Sequence, residues 1–226
     1  MYGKLRVNYG YSRHASSLFR LLRKMNFYVN KEKHSKYIPK PYDTPTNIGI
    51  KWQMDVKYVP KYCYSGSDGE KFYQYTIIDE ASRERFIYPY KEQSSYSTVD
   101  FVKRAILYFG YKPLTIQTDN GQEFTHTQKT DRIHPLDVLL NELDIKHQLI
   151  RPRTPRHNGK VERSHRNDQN RFYNYLKFYS YDDLIKQMKS YLNRSNNIPM
   201  QVLGWISPIE KRNILKEACA NAQLPN

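Results

Sequence analysis

Three carboxylates stand where a chain of alternating strands and helices can bring them together. Asp55 lies in IKWQMDVKYV (50–59), on the polar side of a run that places Trp52, Met54, Val56 and Tyr58 on the other. Asp119 follows the short apolar run PLTIQT (113–118) and precedes Asn120-Gly121, a tight-turn dipeptide. Glu162 falls in the first turn of a predicted helix, after the basic loop RPRTPRHNGK (151–160). Carboxylates at strand ends are well placed to converge with one from a helix packed on the sheet. Oxygen ligands of this kind suit Mg²⁺ or Mn²⁺. Two such ions activate an attacking oxygen and stabilise the leaving one in in-line phosphoryl transfer. Each acid taken alone has a plainer reading. Asp55 fits a solvated strand position, Asp119 a turn former, and Glu162 a helix-start acid paired with Arg166 at i+4. Spacing by itself does not choose between the two.

The elements that must hold these acids follow from periodicity and punctuation. Residues 50–59, 72–79 (FYQYTIID) and 85–90 (RFIYPY) alternate as strands, with a hairpin turn at 80–84. STVDFVKRAILYF (97–109) reads as a helix capped by Ser97 or Thr98 and ended by Gly110. Residues 113–118 form a short buried strand, 136–143 a helix and 146–150 a strand. A long helix is expected over 161–178, and another over 181–193 capped by Ser180. Three strands, helix, strand, helix, strand and helices make a mixed α/β domain, neither a bundle nor a sandwich.

Ahead of it, residues 14–30 read as a short basic amphipathic helix. Leu18, Leu21, Leu22 and Met25 recur at helical spacing, with Arg20, Arg23 and Lys24 on the other side. The three prolines of 37–49 block both helix and central strand, so this stretch reads as a linker. The expected organisation is a basic helical arm (1–36), a linker (37–49), a catalytic core (50–212) and a tail (213–226).

The 226-residue chain carries a net charge of +15, from 37 Lys and Arg against 22 Asp and Glu. Residues 1–50 hold +8 and residues 151–177 hold +6, leaving +1 for everything else. Two basic blocks around a near-neutral middle point to a polyanion, nucleic acid before an anionic membrane. No run approaches the ~18 apolar residues of a membrane span, and the mean hydropathy is −0.86. Cys63 and Cys219 support neither a disulfide framework nor a zinc finger, so a reduced cytoplasmic chain with inert thiols is expected. The 21 tyrosines decide nothing by number. They do not argue for a tyrosine recombinase, because a metal-activated oxygen needs no side-chain nucleophile and the Arg-His-x-x-Arg constellation is not evident.

The wording around the three acids is more specific. WQMDVKYV, YTIIDEASRERFIYPY, IQTDNGQEF and PRTPRHNGKVERSHR, in this order, resemble the retroviral-integrase-like core of insertion-sequence transposases. The resemblance covers about residues 50–212, and SPIEKR (207–212) looks like the segment that closes such cores. Asp55 matches the aspartate of the family's W-x-x-D motif, Asp119 that of D-N-G-x-E-F, and Glu162 the glutamate of H-N-G-x-x-E-R. The resemblance implies a ribonuclease-H-like fold and two divalent metal ions, Mg²⁺ or Mn²⁺. It also implies cleavage at element ends followed by 3′-hydroxyl strand transfer into target DNA, and double-stranded DNA bound by a homo-oligomer. Two departures stand out. Between Asp119 and Glu162 lie 42 residues, more than is usual, and 125–135 is a loop-like place for the extra length. Many relatives carry a basic residue where this chain has Gln169; Arg163, Arg166 and Lys160 are the candidates to replace it.

The other expected contacts to DNA are Arg151, Arg153 and Arg156 on the basic loop, with His157, Asn158, Lys160, Arg163 and Arg166 beside the glutamate. Arg20, Arg23 and Lys24 would add the arm. Asn158 is expected chiefly as a helix cap, and Trp52, Phe124 and Trp205 as core residues. The arm resembles the last part of a helix-turn-helix region, with one helix visible. Two rival functions fit the same residues, a non-cleaving DNA-binding relative and a ribonuclease-H-like nuclease.

Overall fold

The computed structural model describes residues 2–28, 43–66, 69–128, 130–150 and 158–222. The chain divides into two compact units, residues 1–42 and 43–226. In the first, α1 (Tyr2–Tyr9) and α2 (Ala15–Lys24) are joined by a turn through Gly10, whose φ of +64° suits a residue without a Cβ. The first helix has no apolar stripe and so escaped the periodicity reading. The second is shorter than the 14–30 expected, and its apolar face is smaller. Leu18 is buried, whereas Leu21 and Met25 are exposed. Arg20, Arg23 and Lys24 all face solvent.

The second unit is built on a five-stranded mixed sheet in the order β3-β2-β1-β4-β5. Its strands are β1 (Lys51–Tyr58), β2 (Tyr73–Asp79), β3 (Arg85–Tyr90), β4 (Thr115–Thr118) and β5 (Lys146–Leu149). β1, β2 and β3 pair antiparallel, and β1, β4 and β5 pair parallel. The mixed α/β sheet flanked by helices is the architecture the sequence predicts. Among the described residues no helix is long and apolar enough to cross a membrane.

Alternation along the strands gives the sheet two unlike faces. Trp52, Met54, Tyr75, Ile77 and Ile116 bury one face beneath α3 (Ser95–Phe109) and α4 (Pro135–Glu142), where Phe101, Val102, Leu136 and Leu140 complete the core. The other face of β1 and β2 is polar: Gln53, Asp55 and Lys57 pair across with Ile78, Thr76 and Gln74. It is covered by α5 (Gly159–Asp168), while α6 (Tyr181–Asn196) lies against β3. A second cluster, with Phe72, Ile87, Tyr173, Phe178, Leu184 and Met188, closes that side.

Several local expectations are corrected. α3 is capped by Ser94, whose side chain accepts from the Ser97 N–H (3.1 Å), rather than by Ser97 or Thr98; Gly110 does end it, at φ +72°. The long helix expected over 161–178 ends at Asp168 and passes into a wider π-turn, Gln169–Tyr173, in which the Asn174 N–H reaches the Gln169 carbonyl. Trp205 is 69% exposed at a left-handed position instead of sitting in the core; Trp52 and Phe124 are fully buried. α7 (Pro208–Ala222) runs unbroken across the expected tail boundary at 212–213. It starts with a reciprocal cap, the Ser207 N–H donating to Glu210 Oε2 and the Glu210 N–H to Ser207 Oγ.

α7 is tied to the sheet by Arg212, which donates to the buried Glu84 at 2.9 Å. Burial pushes the Glu84 carboxyl up to about 7; Arg212 opposes this and Asp79 adds to it. A carboxyl whose folded value lies above its ordinary 4.5 stabilises fully below 4.5 and loses that contribution as pH rises through about 7. Unfolding titrations are therefore expected to show stability falling across this window, by at most about 3 kcal/mol. Glu84→Gln should flatten the dependence, and an unchanged slope would rule out Glu84 as its source.

Candidate active site

β4 runs parallel to β1 only over Lys51–Gln53, in the register Lys51 opposite Thr115 and Gln53 opposite Gln117. Asp55 lies two residues past this pairing on β1, and Asp119 two residues past it on the β4 side, close enough for the Asp55 charge to act on the Asp119 carboxyl. β4 ends at Thr118, so Asp119 stands at the mouth of the sheet, and the Gly121 N–H donates to its Oδ1 at 2.9 Å. The 42-residue interval between Asp119 and Glu162 opens with a stretch of irregular backbone. No helix or strand occupies the described residues between Thr118 and Pro135, and buried Phe124 anchors the loop.

Glu162 comes from the side, on the exposed face of α5, in its first turn. Val161, Ser164 and Asp168 turn the opposite face of that helix into the molecule. The start of α5 is held by a residue from β1. Gln53 Oε1 accepts from the Lys160 and Val161 N–H groups at 3.1 and 3.3 Å. Its amide also donates to Glu80 at 2.9 Å, and Glu80 is bound by the Lys160 ammonium. Asn158 occupies the N-cap position but makes no capping bond. It is buried, and its amide donates to the Met54 carbonyl at 3.3 Å. A side chain on the strand of Asp55 thus caps the helix of Glu162. Gln53→Ala is expected to lower stability by about 1–2 kcal/mol, the worth of a lost cap and its hydrogen bonds. Chemical denaturation checks this; a change below a few tenths would mean that the cap is not holding the helix.

His165, one turn after Glu162, completes the connection. Its Nε2 lies 3.0 Å from Thr76 Oγ1 and its Nδ1 3.4 Å from Asp55 Oδ2. Asp55 Oδ1 accepts from the Val56 N–H at 2.8 Å. Lys57, two residues along β1, donates to the His165 carbonyl (3.2 Å) and to Gln169 Oε1 (3.0 Å). A cation therefore does stand beside Gln169, Lys57 of β1, and Arg166 lines a groove with both. Neither His165 nor Lys57 was singled out from the sequence. The i+3 spacing from Glu162 marks His165, and the two-residue repeat of Gln53, Asp55 and Lys57 marks Lys57.

The acids sense one another. Burial raises Asp119 above the ordinary carboxylate range; the Gly121 N–H offsets part of this and the Asp55 charge adds to it. Burial and then the Asp55 charge raise Glu162, against His165, while Asp119 raises it further. Glu123, held by Gln93 at 2.6 Å, is raised by burial and more weakly by Asp119 and Asp55. Among the described residues no three His, Cys, Asp or Glu side chains meet as a ready-formed metal centre. Like charges disfavour closer approach. A hard divalent cation fits this donor set, because it takes carboxylate oxygens and relieves their repulsion.

The expected DNA contacts outside the arm separate into three groups. Arg163 and Arg166 are exposed on α5, beside Glu162. Asn158 and Lys160 are drawn inward, Asn158 by the Met54 carbonyl and Lys160 by Glu80, so neither presents its polar group to an outside phosphate in this arrangement. Arg151, Arg153, Arg156 and His157 lie outside the described residues. Cys63 is buried and its thiol is pushed up to about 11, chiefly by burial, as suits an inert cysteine.

Two sequence-family profiles, each described as an integrase core domain, match residues 46–155 and 143–208. A candidate integrase of Spiroplasma virus SpV1-C74, the ORF3 product, is 33% identical over 177 residues, 74% of this chain and 44% of that protein. The chain thus spans less than half the length of the curated relative it matches. Solved structures share the fold at low identity. The magnesium complex of the HTLV-2 integrase catalytic core, in its dimeric form, superposes with a TM-score of 0.55 at 22% identity over 74% of this chain and 97% of that one. The catalytic core of BIV integrase gives 0.55 at 20% identity over 78% and 99%. A chain of the simian T-cell lymphotropic virus intasome, solved with the PP2A regulatory subunit B56 gamma, gives 0.63 at 18% over 92% and 73%.

Proposed function

The chain carries an integrase core domain over residues 46–208, and from that premise we propose that it cuts and rejoins DNA strands at the Asp55–Asp119–Glu162 cluster. The observation that supports this reading is the pairing of β1 with β4, with Asp55 two residues past it on β1 and Asp119 just past the end of β4, while α5, which carries Glu162, is held to β1 through Gln53. Asp55, Asp119 and Glu162 would hold Mg²⁺ or Mn²⁺, two ions per site. Bound there, such ions supply activation of the attacking oxygen and charge relief at the leaving one.

The chain's own groups do the remaining work. His165 and the Val56 N–H orient Asp55, and the Gly121 N–H orients Asp119. Arg163 and Arg166 offer positive charge to the phosphates flanking the scissile bond, and Arg151, Arg153 and Arg156 precede them in sequence. Water attacks a phosphodiester at the element end, and the bond to the leaving strand breaks to free a 3′-hydroxyl. That hydroxyl then attacks a phosphodiester of target DNA, and the displaced 3′-oxygen leaves as a hydroxyl. No protein side chain becomes covalently attached. Two element ends have to be joined in one event, so the working form is an oligomer on DNA.

The test is a strand-transfer assay on labelled duplexes carrying the ends of the element that encodes the chain. Shortened and joined strands are expected with Mg²⁺ or Mn²⁺ and none with chelator. Tight binding without new strand lengths would leave a DNA-holding protein. Cleavage of RNA–DNA hybrids without joining would leave a nuclease.

A further inference from the structure

Because β4 stops at Thr118, the far half of β1 has no strand beside it on that edge among the described residues. An open groove of about 560 Å³ lies there. Val56, Lys57 and Tyr58 form one side, and His165, Arg166 and Gln169 of α5 and its π-turn form the other. Asp55 is the residue immediately before this stretch of β1. The groove combines an apolar floor at Val56, the Lys57 ammonium, the Arg166 guanidinium and a tyrosine ring, with no carboxylate among its lining residues. Tyr58 is 61% exposed, although it belongs to the strand's apolar series, and its ring leans on Tyr73 with centroids 4.9 Å apart. Tyr62, just beyond, is also exposed, and its hydroxyl is held by Gln169 at 2.6 Å.

An exposed ring braced by a second ring, flanked by cations, suits a flat aromatic anion. The groove is open on its outer side, so a DNA strand can lay one nucleotide against it. A base within a duplex already has neighbours on both faces, whereas an unpaired base has a face to give. We propose that this groove binds an unpaired nucleotide of the DNA strand next to the cleavage site, its base stacked on Tyr58 and its phosphate held by Lys57 and Arg166. The proposal rests on the reading above that the substrate is DNA cut beside Asp55, and it assigns Lys57 and Tyr58 a positioning role.

The experiment is equilibrium binding of the full chain to labelled duplexes of one sequence, blunt or with a short unpaired overhang, in chelator so that no strand is cut. Stacking is worth ~1–3 kcal/mol per base, so the overhang should bind about tenfold more tightly than the blunt end. Tyr58→Ala should bring the ratio close to one while blunt-end affinity stays within about twofold. Tyr58→Phe should keep the ratio, since the ring remains. Lys57→Gln should weaken overhang binding and reduce its salt dependence by about one phosphate contact. A wild-type ratio of one, or a ratio unchanged by Tyr58→Ala, would overturn the proposal. Neither result would touch the catalytic reading, which stands or falls on metal-dependent joining.

Discussion

Asp119→Asn is expected to lose strand cleavage and joining by at least about a hundredfold while binding DNA within about twofold of the parent. The substitution keeps the side chain's size and the oxygen that accepts from the Gly121 N–H. It removes one negative charge from a cluster in which the Asp55 charge raises the Asp119 carboxyl and the Asp55 and Asp119 charges raise that of Glu162. Charge stabilisation by a divalent ion in this chemistry is worth several kcal/mol, which is the source of the expected loss. Binding should survive because the charges proposed to meet phosphate, Arg163 and Arg166 among them, lie exposed on α5 and are untouched. Magnesium-dependent joining and DNA affinity measured on the same preparation check both halves. Full activity in the variant would end the metal-site proposal; lost binding would mean that Asp119 shapes the DNA surface instead.

Asp168→Ala should destabilise the domain by about 3–5 kcal/mol, the cost of leaving a buried charge unpaired. Asp168 is fully buried at the end of α5 and accepts from Arg85 at 2.6 Å, Gln74 at 2.7 Å and Tyr191 at 2.9 Å. These partners come from β3, β2 and α6, so one carboxylate ties the helix of Glu162 to three other elements. Burial opposes its ionisation, but the Arg85 guanidinium and the Gln74 hydrogen bond outweigh that and hold the carboxyl below its ordinary 3.8. The sign follows: the contribution is present above 3.8 and is lost as pH falls through the lower folded value. Denaturant unfolding at neutral pH should show the full loss, and the gap between variant and parent should narrow in acid. A change near zero at neutral pH would show that Arg85 finds other partners, with Ser164 and Ser195 already beside it.

These two expectations separate what α5 does from what holds it. Glu162 faces outward from a helix whose inward face carries Asp168 six residues later. The same short segment contributes an exposed acid for chemistry and a buried acid for anchoring. Gln169, whose N–H still reaches the His165 carbonyl in α-helical phase, meets Lys57 and Tyr62 with its side chain, and the π-turn widens the backbone only after it.

Much of the local structure around the three carboxylates was legible in the sequence. Period-two alternation in 50–59 placed Asp55 opposite Trp52 and Met54, and those two side chains are fully buried. The apolar run ending at Thr118 and the Asn-Gly turn put Asp119 at a strand end, where it stands. Glycine punctuation ended α3 correctly. Local rules also misled in places. Asn158 sits at an N-cap, yet its amide turns inward to Met54, because Gln53 already occupies the N–H groups it would have served. Trp205 is large and apolar, but a left-handed turn leaves it outside.

By itself the sequence determined the order of strands and helices from β1 to α6, the face of β1 that carries Asp55, and the strand end and helix start at which Asp119 and Glu162 lie. These depend on side-chain periodicity and turn chemistry within a few residues of each site. The tertiary structure alone decided that Gln53 caps α5, that Lys160 is committed to Glu80, that Lys57 stands beside Gln169 and that Arg85 meets Asp168. The first and third of these contacts join residues 107 and 112 positions apart. Such pairs are set by how a helix lies across a sheet, a packing geometry that no local pattern in the chain encodes.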